Sequence, residues 1–380
     1  MIEQRTRFSK GILVITLLLI LSCLSSAILA ENHNVSYQLV NHPDGSTFYR
    51  LNVAVSETLY EYYLEKSHSL STGNDFARFV TPYALKPIAD SLREIYADDE
   101  DFANGVLMIV HQIPYEVTTA PKYPVEAIVE NKGDCDLFSY IAASIVKAGG
   151  LDTVLLYYES ESHMNIGINL SHAPRNARSA EYHVTSNDIN YYVAECTGGN
   201  WQNGWRVGEC PTDLRQASVQ VIDLENSEQP AGGQVSASLQ NLATSTVSLT
   251  VSPTFLVQEG TVSLSGQILP TTQNQTVTIY ARENASPWRV LGTTTTDSNG
   301  RFTYAWNAET AGIYDVRASW SGNENYASAD SPTRSVTILS TFFLILLSMI
   351  IILVCVGTVM FFLSRRTAQE IQEPQPPEIS

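Results

Sequence analysis

The sequence predicts an α+β domain, then an all-β sandwich, and a single membrane-spanning helix near the C-terminus. Helix and strand patterns alternate up to about residue 222, and short strands with alternating polarity recur from 247 to 339. The run Phe342–Leu363 carries no charge. At 380 residues the chain exceeds one typical domain, so we expect at least two.

Residues 1–30 are predicted to be a signal peptide or an N-terminal anchor. Arg5, Arg7 and Lys10 precede an uncharged run that ends at Ala30, and a basic start before an apolar segment is typical of both. The run is long enough to span a membrane, while the Ala-Ile-Leu-Ala sequence at its end offers a cleavage site. Both interpretations stay open.

Residues 31–222 are predicted to form the α+β domain. The predicted helices cover Pro87–Tyr96, Asp101–Val110 and Leu137–Ala148, and the predicted strands cover Leu151–Tyr158, His163–Ile168 and Tyr191–Thr197. The last of the three helices is apolar nearly all round. We therefore expect it to pack against an antiparallel sheet formed by the strands.

A cysteine stands at the start of this apolar helix. Cys135 follows the turn Gly133-Asp134, in which the aspartate is a capping-type residue, and Gly149-Gly150 closes the helix. A thiol becomes a strong nucleophile only when it ionises, and the N-terminus of a helix stabilises negative charge. The position therefore favours a reactive thiol.

The other two members of a cysteine-based triad follow in order along the chain. His163 begins one predicted strand and Glu195 lies at the end of another. If these strands are neighbours, Glu195 could reach the outer nitrogen of His163, which would then accept the thiol proton. His111, His172 and His183 are alternative bases.

These residues resemble the transglutaminase-like superfamily of papain-type cysteine enzymes. The resemblance covers roughly 107–211 and rests on Gly-Asp-Cys-Asp at 133–136, a Pro-x-Glu upstream and a short histidine segment afterwards. It implies that Cys135 is the nucleophile, His163 the base and Glu195 the acid that orients the histidine.

The chain departs from the family pattern near the histidine and the acid. The family acid is usually aspartate, and an aromatic residue commonly follows the histidine where this chain has Met164-Asn165. Gln112 could donate its amide to the oxyanion, as a glutamine does in papain-type enzymes, beside the Cys135 N–H.

The cysteine count suggests one disulfide. Of five cysteines, Cys23 and Cys355 lie in the hydrophobic ends, which leaves Cys135, Cys196 and Cys210. An odd number in an oxidising compartment suggests one pair and one free thiol. A bridge from Cys196 to Cys210 would close a glycine-rich loop and leave Cys135 free. The alternative is three unpaired thiols.

Residues 223–246 are predicted to be a linker, because they are rich in Ser, Gly, Gln and Ala. Seven short strands over about 90 residues then predict a β-sandwich over 247–339. The stretch from Tyr314 to Tyr326 resembles the Ig-like repeats of prokaryotic surface proteins. This region contains no cysteine, so an Ig-type disulfide is excluded.

The C-terminal end predicts a transmembrane helix over 341–364 and a cytoplasmic tail over 365–380. The uncharged run 342–363 would be about 33 Å long as a helix, enough to cross the hydrocarbon core. Arg365 and Arg366 follow it, and basic residues favour the cytoplasmic side. We therefore expect a single-pass protein of the cell membrane with most of its chain extracellular.

The formal net charge of −17 argues against nucleic acid as a partner. The sequence shows no metal-ligand spacing and no phosphate-binding loop, so we expect no metal and no cofactor. It predicts a membrane-anchored enzyme that acts on amide bonds of a protein or peptide, as a peptidase or amidase or by acyl transfer to an amine. The alternative is a catalytically inactive surface binding or adhesion protein. The sequence does not predict the oligomeric state.

Overall fold

The structure is a computed structural model. It describes residues 32–370 except 199, 229–231, 241, 242, 285 and 324. The predicted signal peptide or anchor at 1–30 lies outside the described residues, as do residues 371–380 of the predicted tail.

The chain begins with an antiparallel pair of strands and a set of helices. The strands are β1 (His33–Val40) and β2 (Phe48–Val55), and the helices are α1 (Glu57–Leu64), α2 (Pro82–Ile95), α3 (Asp99–Val110), α4 (Pro124–Glu130) and α5 (Cys135–Ala148). The three predicted helices are confirmed as α2, α3 and α5. The first of them begins earlier than predicted, because Pro82 is tolerated in a first helical turn.

An antiparallel sheet follows the helices. Its strands are β3 (Thr153–Tyr158), β4 (His163–Ile168), β5 (His183–Ser186), β6 (Ile189–Ala194) and β7 (Gln220–Ile222), in the order β5-β6-β4-β3-β7. Met164 and Ile166 on one face join the apolar core that contains α5. Leu156 and Tyr158 lie in a second apolar cluster. The predicted packing of helices against an antiparallel sheet is confirmed.

The segment predicted to be a linker is partly a strand. Ser236–Ser238 forms β8, which pairs with β2. Val235 and Ala237 are buried, and the backbone N–H of Val235 donates to Ala84 O in α2 at 3.0 Å. The small side chains that suggested a linker instead allow this segment to pack closely on the N-terminal domain.

The predicted β-sandwich is confirmed. Its strands are β9 (Thr246–Ser252), β10 (Phe255–Val257), β11 (Thr261–Leu269), β12 (Thr276–Glu283), β13 (Arg289–Thr295), β14 (Arg301–Asn307), β15 (Gly312–Trp320), β16 (Ala329–Asp330) and β17 (Arg334–Leu339). One sheet has the order β10-β17-β15-β12-β13, with β16 beside β15, and the other has the order β14-β11-β9. Alternate residues of β9 are buried, as expected for a strand with one face in a core.

The sandwich is docked on the N-terminal domain through buried polar contacts. Asp330 accepts a hydrogen bond from the N–H of Thr58 in the first turn of α1, at 2.8 Å. The Trp288 ring donates to Glu61 at 3.0 Å, and Arg317 pairs with the same carboxylate at 2.8 Å. Asp330 and Trp288 are both almost fully buried. The two domains therefore share an extensive interface and are not joined only by a flexible segment.

The last described element is α6 (Thr341–Glu370), which follows β17 directly. Among the residues that the structure describes, no helix is both long and apolar enough to cross a membrane. The transmembrane helix predicted over 341–364 is therefore not confirmed.

Candidate active site

The turn before Cys135 is held by hydrogen bonds from two sides. The N–H and C=O of Gly133 pair with the backbone of 114–116, at 3.2 and 2.7 Å. Asp134 is the N-cap residue of α5, and its carboxylate accepts from the backbone N–H and the hydroxyl of Thr118 at 2.7 and 2.8 Å. Cys135 is thereby fixed at the helix N-terminus, where unpaired N–H groups favour a negatively charged sulfur.

Ser139, one turn into α5, joins this helix to the sheet. Its hydroxyl oxygen lies 2.7 Å from the Cys135 carbonyl oxygen and 3.1 Å from that of Met164 in β4. The first turn of α5 is therefore held against the start of β4, the strand that carries the histidine.

Strand register brings the histidine and the acid together. In the antiparallel pair of β4 and β6, Ile166 lies opposite Ala194, so Asn165 and Glu195 are the next residues along each strand. Side chains two residues apart on a strand share a face, which puts His163 beside Asn165. The adjacency that the triad requires thus follows from the pairing of these two strands.

Glu195 is held in place by four hydrogen bonds. One carboxylate oxygen lies 2.9 Å from Nε2 of His163 and 3.2 Å from the amide nitrogen of Asn165. The other oxygen accepts from the N–H and the hydroxyl of Thr197 at 2.9 and 2.5 Å. The Glu195 side chain is 1 % exposed, so water cannot replace these partners, and the carboxylate is directed at the imidazole.

The surroundings favour a protonated imidazole. Burial lowers the pKa of His163, but hydrogen bonds and charges from Cys135 and Glu195 raise it more strongly, to about 10. Burial raises the pKa of Glu195, but its hydrogen bonds to His163 and Thr197 outweigh this effect and lower the pKa below its usual value. Glu195 therefore remains a carboxylate, and the His163 ring is a positive charge next to Cys135.

Cys135 is partly buried, and its sulfur lies beside a tight turn. Sγ of Cys135 is 3.9 Å from the carbonyl oxygen of Ser162, which has a left-handed backbone conformation. Burial and the neighbouring Asp134 carboxylate raise the pKa of Asp136 to about 7. One of the two aspartates that flank the thiol is thus partly neutral near pH 7, which reduces repulsion of a thiolate.

A cavity of about 450 Å³ opens next to the imidazole. It is lined by His111, Gln112, Ile113, Pro114, Tyr115, Phe138, His163, Thr197 and Gly198. Its wall therefore combines aromatic and aliphatic side chains with the His163 ring and with Thr197, which donates to Glu195. The cavity is large enough for a segment of a peptide beside the imidazole.

The structure does not support Gln112 as the oxyanion donor. Its amide nitrogen donates to the carbonyl oxygens of Gln38 and Met108 at 2.9 and 2.8 Å, and its amide oxygen accepts from the Gln38 N–H. One amide hydrogen therefore joins Gln112 to β1, and the other returns to the last turn of α3. Gln112 contributes to the cavity wall, but its donors point into the protein.

The predicted disulfide between Cys196 and Cys210 is not formed, and both residues are free thiols. Cys196 shares the face of Ala194 and lies in the core with α5, whereas Cys210 packs in the cluster that contains Val193. Because successive side chains of a strand point to opposite faces, the sheet separates the two thiols. Cys135 is unpaired too, so the structure agrees with the alternative of three unpaired thiols.

The alternative histidines are not placed beside the thiol. His111 is buried, its Nε2 lies 3.0 Å from the Glu195 carbonyl oxygen, and burial lowers its pKa. His172 lies near Asp98, and His183 packs its ring on Tyr192. Of these histidines, His111 supports the backbone of the acid without replacing His163.

Asp98, Glu100 and His172 offer ligand atoms that lie within 4.8 Å of one another, so they could hold a metal ion. The Glu100 carboxylate, however, already accepts backbone N–H groups from Arg175 and Asn176. The Arg175 guanidinium lies 2.7 Å from Asp98. The loop that contains Arg175 and Asn176 thus supplies hydrogen bonds and positive charge to both carboxylates. The cluster is best explained as the contact that anchors this loop.

Residues 249–339 match a known family, the bacterial Ig-like domain (group 3). This match supports the Ig-like part of the predicted resemblance and agrees with the sandwich described above. The transglutaminase-like resemblance of the N-terminal domain has no such support and stays a prediction. No curated protein matches the chain.

Proposed function

We propose that the chain is a cysteine enzyme that acts on amide bonds through Cys135, His163 and Glu195. The observation that carries the proposal is the buried Glu195 carboxylate, held 2.9 Å from His163 by hydrogen bonds that use both of its oxygens. A glutamate with only a structural role has no need of a partly exposed histidine and a partly exposed cysteine beside it. The arrangement fits a catalytic triad in which the acid orients the histidine and stabilises its imidazolium form.

The chemistry follows from the positions of these groups. The Cys135 thiolate attacks the amide carbonyl carbon, and the carbonyl oxygen takes the negative charge of the tetrahedral intermediate. The C–N bond then breaks, the His163 imidazolium gives its proton to the leaving amine, and a thioester remains on the sulfur. In the second half, His163 removes a proton from an incoming nucleophile that displaces the thiolate. Water as this nucleophile gives hydrolysis, and an amine gives acyl transfer.

Acylation of the sulfur tests the proposal directly. Full-length protein mixed with p-nitrophenyl acetate should release nitrophenolate in a burst and carry one acetyl group on Cys135, seen by peptide mass spectrometry. The Cys135→Ala variant should show neither signal, while Cys196→Ala should behave as wild type because Cys196 is buried. An unmodified Cys135 in folded wild-type protein would favour the alternative of an inactive surface binding protein.

The location of the chain is a separate proposal, drawn from the C-terminal sequence. Phe342–Leu363 is uncharged and precedes Arg365 and Arg366. Large apolar side chains of α6 such as Phe342 and Leu353 are more than two-thirds exposed, with no described part of the chain covering them. We propose that this segment holds the protein at the cell membrane with the N-terminal domain and the sandwich outside.

Protease accessibility checks this orientation. Protease added to intact cells should release the two folded domains, whereas an epitope tag placed after Ser380 should stay protected until the membrane is disrupted. A tag that is digested on intact cells would contradict the orientation.

A further inference from the structure

Attack by Cys135 creates an oxyanion, and the site described so far provides one donor for it. The N–H of Cys135 belongs to the first turn of α5, in which backbone N–H groups have no intrahelical partner. Gln112, the side chain predicted to supply a second donor, is held by β1 and α3. A site for acyl chemistry usually directs two or more donors at the oxyanion, so a further donor is needed.

Tyr115 has the right position and an unused hydroxyl. It lines the same cavity as His163 and Phe138, and its ring packs edge-on against Phe138 with centroids 6.2 Å apart. The residue is 59 % exposed. Among the residues that the structure describes, its hydroxyl has no hydrogen-bond partner. The phenol is therefore available to a molecule that enters the cavity.

The backbone of Tyr115 is coupled to the nucleophile. Tyr115 forms a parallel bridge with Gly133, two residues before Cys135, and the neighbouring Glu116 N–H donates to Gly133 O at 2.7 Å. The segment that carries the phenol is thus hydrogen-bonded to the turn that carries the sulfur. The ring contact with Phe138, in the first turn of α5, fixes the side chain on the same helix end.

We infer that the Tyr115 hydroxyl donates a hydrogen bond to the oxyanion that forms on the substrate, together with the Cys135 N–H. Tyr115 would then be a catalytic residue of the same reaction, and the inference rests on the proposed function. The hydrogen bond strengthens as the carbonyl oxygen gains negative charge, so it stabilises the transition state more than the bound amide. The proton stays on the phenol throughout, and no bond of the tyrosine is broken.

The protonation state of the phenol agrees with this role. Partial burial, followed by the nearby charges of Cys135, Asp134 and Asp136, raises the pKa of Tyr115 above its ordinary value of 10.0. The hydroxyl therefore keeps its proton at neutral pH and remains a donor even when the thiol is ionised.

Two reactions of the Cys135 sulfur distinguish stabilisation of the oxyanion by Tyr115 from an effect of Tyr115 on the reactivity of the thiolate. Iodoacetamide alkylates a thiolate by direct displacement without forming an oxyanion, whereas acetylation by p-nitrophenyl acetate passes through a tetrahedral oxyanion. In full-length Tyr115→Phe, we expect acetylation of Cys135 to slow about 10²- to 10³-fold, the range for loss of one oxyanion donor. Alkylation should proceed at nearly the wild-type rate. Tyr60→Phe, which removes a hydroxyl from α1 outside the cavity lining, should leave both rates unchanged.

The remaining outcomes would overturn either the inference on Tyr115 alone or the proposed function as well. Unchanged acetylation in Tyr115→Phe would overturn this inference alone, and so would an equal loss of both reactions, which would indicate an effect on the thiolate. Wild-type protein that alkylates rapidly at Cys135 but is never acetylated would overturn the proposed function and this inference together. Near-wild-type alkylation also shows that the variant is folded around the thiol.

Discussion

Replacing His163 by alanine should slow the alkylation of Cys135 by iodoacetamide about 10²-fold at pH 6. In the wild type, the His163 imidazolium lies beside the sulfur and favours its ionised form. Without that charge the attacking sulfur loses its electrostatic partner, so alkylation should be slower. The measurement is the second-order alkylation rate of the full-length protein, with the labelled cysteine identified by peptide mapping.

A matched variant controls for the loss of an imidazole as such. His183 is exposed on β5, with its ring against Tyr192, so His183→Ala should leave the alkylation rate unchanged. Far-ultraviolet circular dichroism should show that both variants are folded. Equal rates for wild type and His163→Ala would mean that the imidazole does not activate the sulfur, and the proposed function would fail.

The parts of the site that the sequence predicted correctly depend on local patterns. A Gly-Asp turn before an apolar run is sufficient to place Cys135 at a helix N-terminus. Alternation and β-branched content are sufficient to place His163 at the start of a strand. Glu195 was predicted within the end of a strand over Tyr191–Thr197, whereas the strand ends at Ala194 and Glu195 follows it directly. The neighbouring position of β4 and β6 could not be derived from these patterns, because strand order depends on contacts between distant segments.

The two incorrect site predictions failed for the same reason. Gln112 follows α3, but Gln38 in β1, far away along the chain, takes one of its amide hydrogens, and the Met108 carbonyl of α3 takes the other. Cys196 and Cys210 are close in sequence, yet a sheet separates them because Cys196 points to the α5 side. Closeness in sequence therefore determined neither the direction in which a side chain points nor its hydrogen-bond partner.

The supporting residues of the acid were missed for a different reason. Asn165 follows His163 by two positions, and Thr197 follows Glu195 by two positions. Asn165 donates to the Glu195 carboxylate at 3.2 Å, from the strand that carries His163. A check of which polar residues share a strand face with His163 would have identified Asn165.

Replacing Glu195 by alanine should lower the free energy of unfolding of the N-terminal domain by about 3–5 kcal/mol, the usual cost of removing one member of a buried ion pair. His163 would lose one of the two partners that raise its pKa against the effect of burial, and the donors of Asn165 and Thr197 would lose their acceptor. Glu195→Gln keeps the volume and an acceptor oxygen, so its effect should be clearly smaller. Urea denaturation of the full-length protein measures both. Equal stability of wild type and Glu195→Ala would contradict the buried pair.

The pH dependence of stability provides a sharper test of the pair. The pKa of His163 is raised from 6.5 to about 10 in the folded protein, because Cys135 and Glu195 outweigh the effect of burial. The folded chain thus binds this proton more tightly than the unfolded chain, so the stabilisation is complete below pH 6.5 and is lost as the pH rises toward about 10. Glu195→Gln removes one of the charges that raise the pKa of His163. As the pH rises, this variant should therefore lose less stability than the wild type, and the loss should be complete at a lower pH. The His163→Ala variant lacks this titration, so its free energy of unfolding should change less between pH 7 and 9 than that of the wild type. If the variant showed the wild-type slope in this range, the titration would belong to another group.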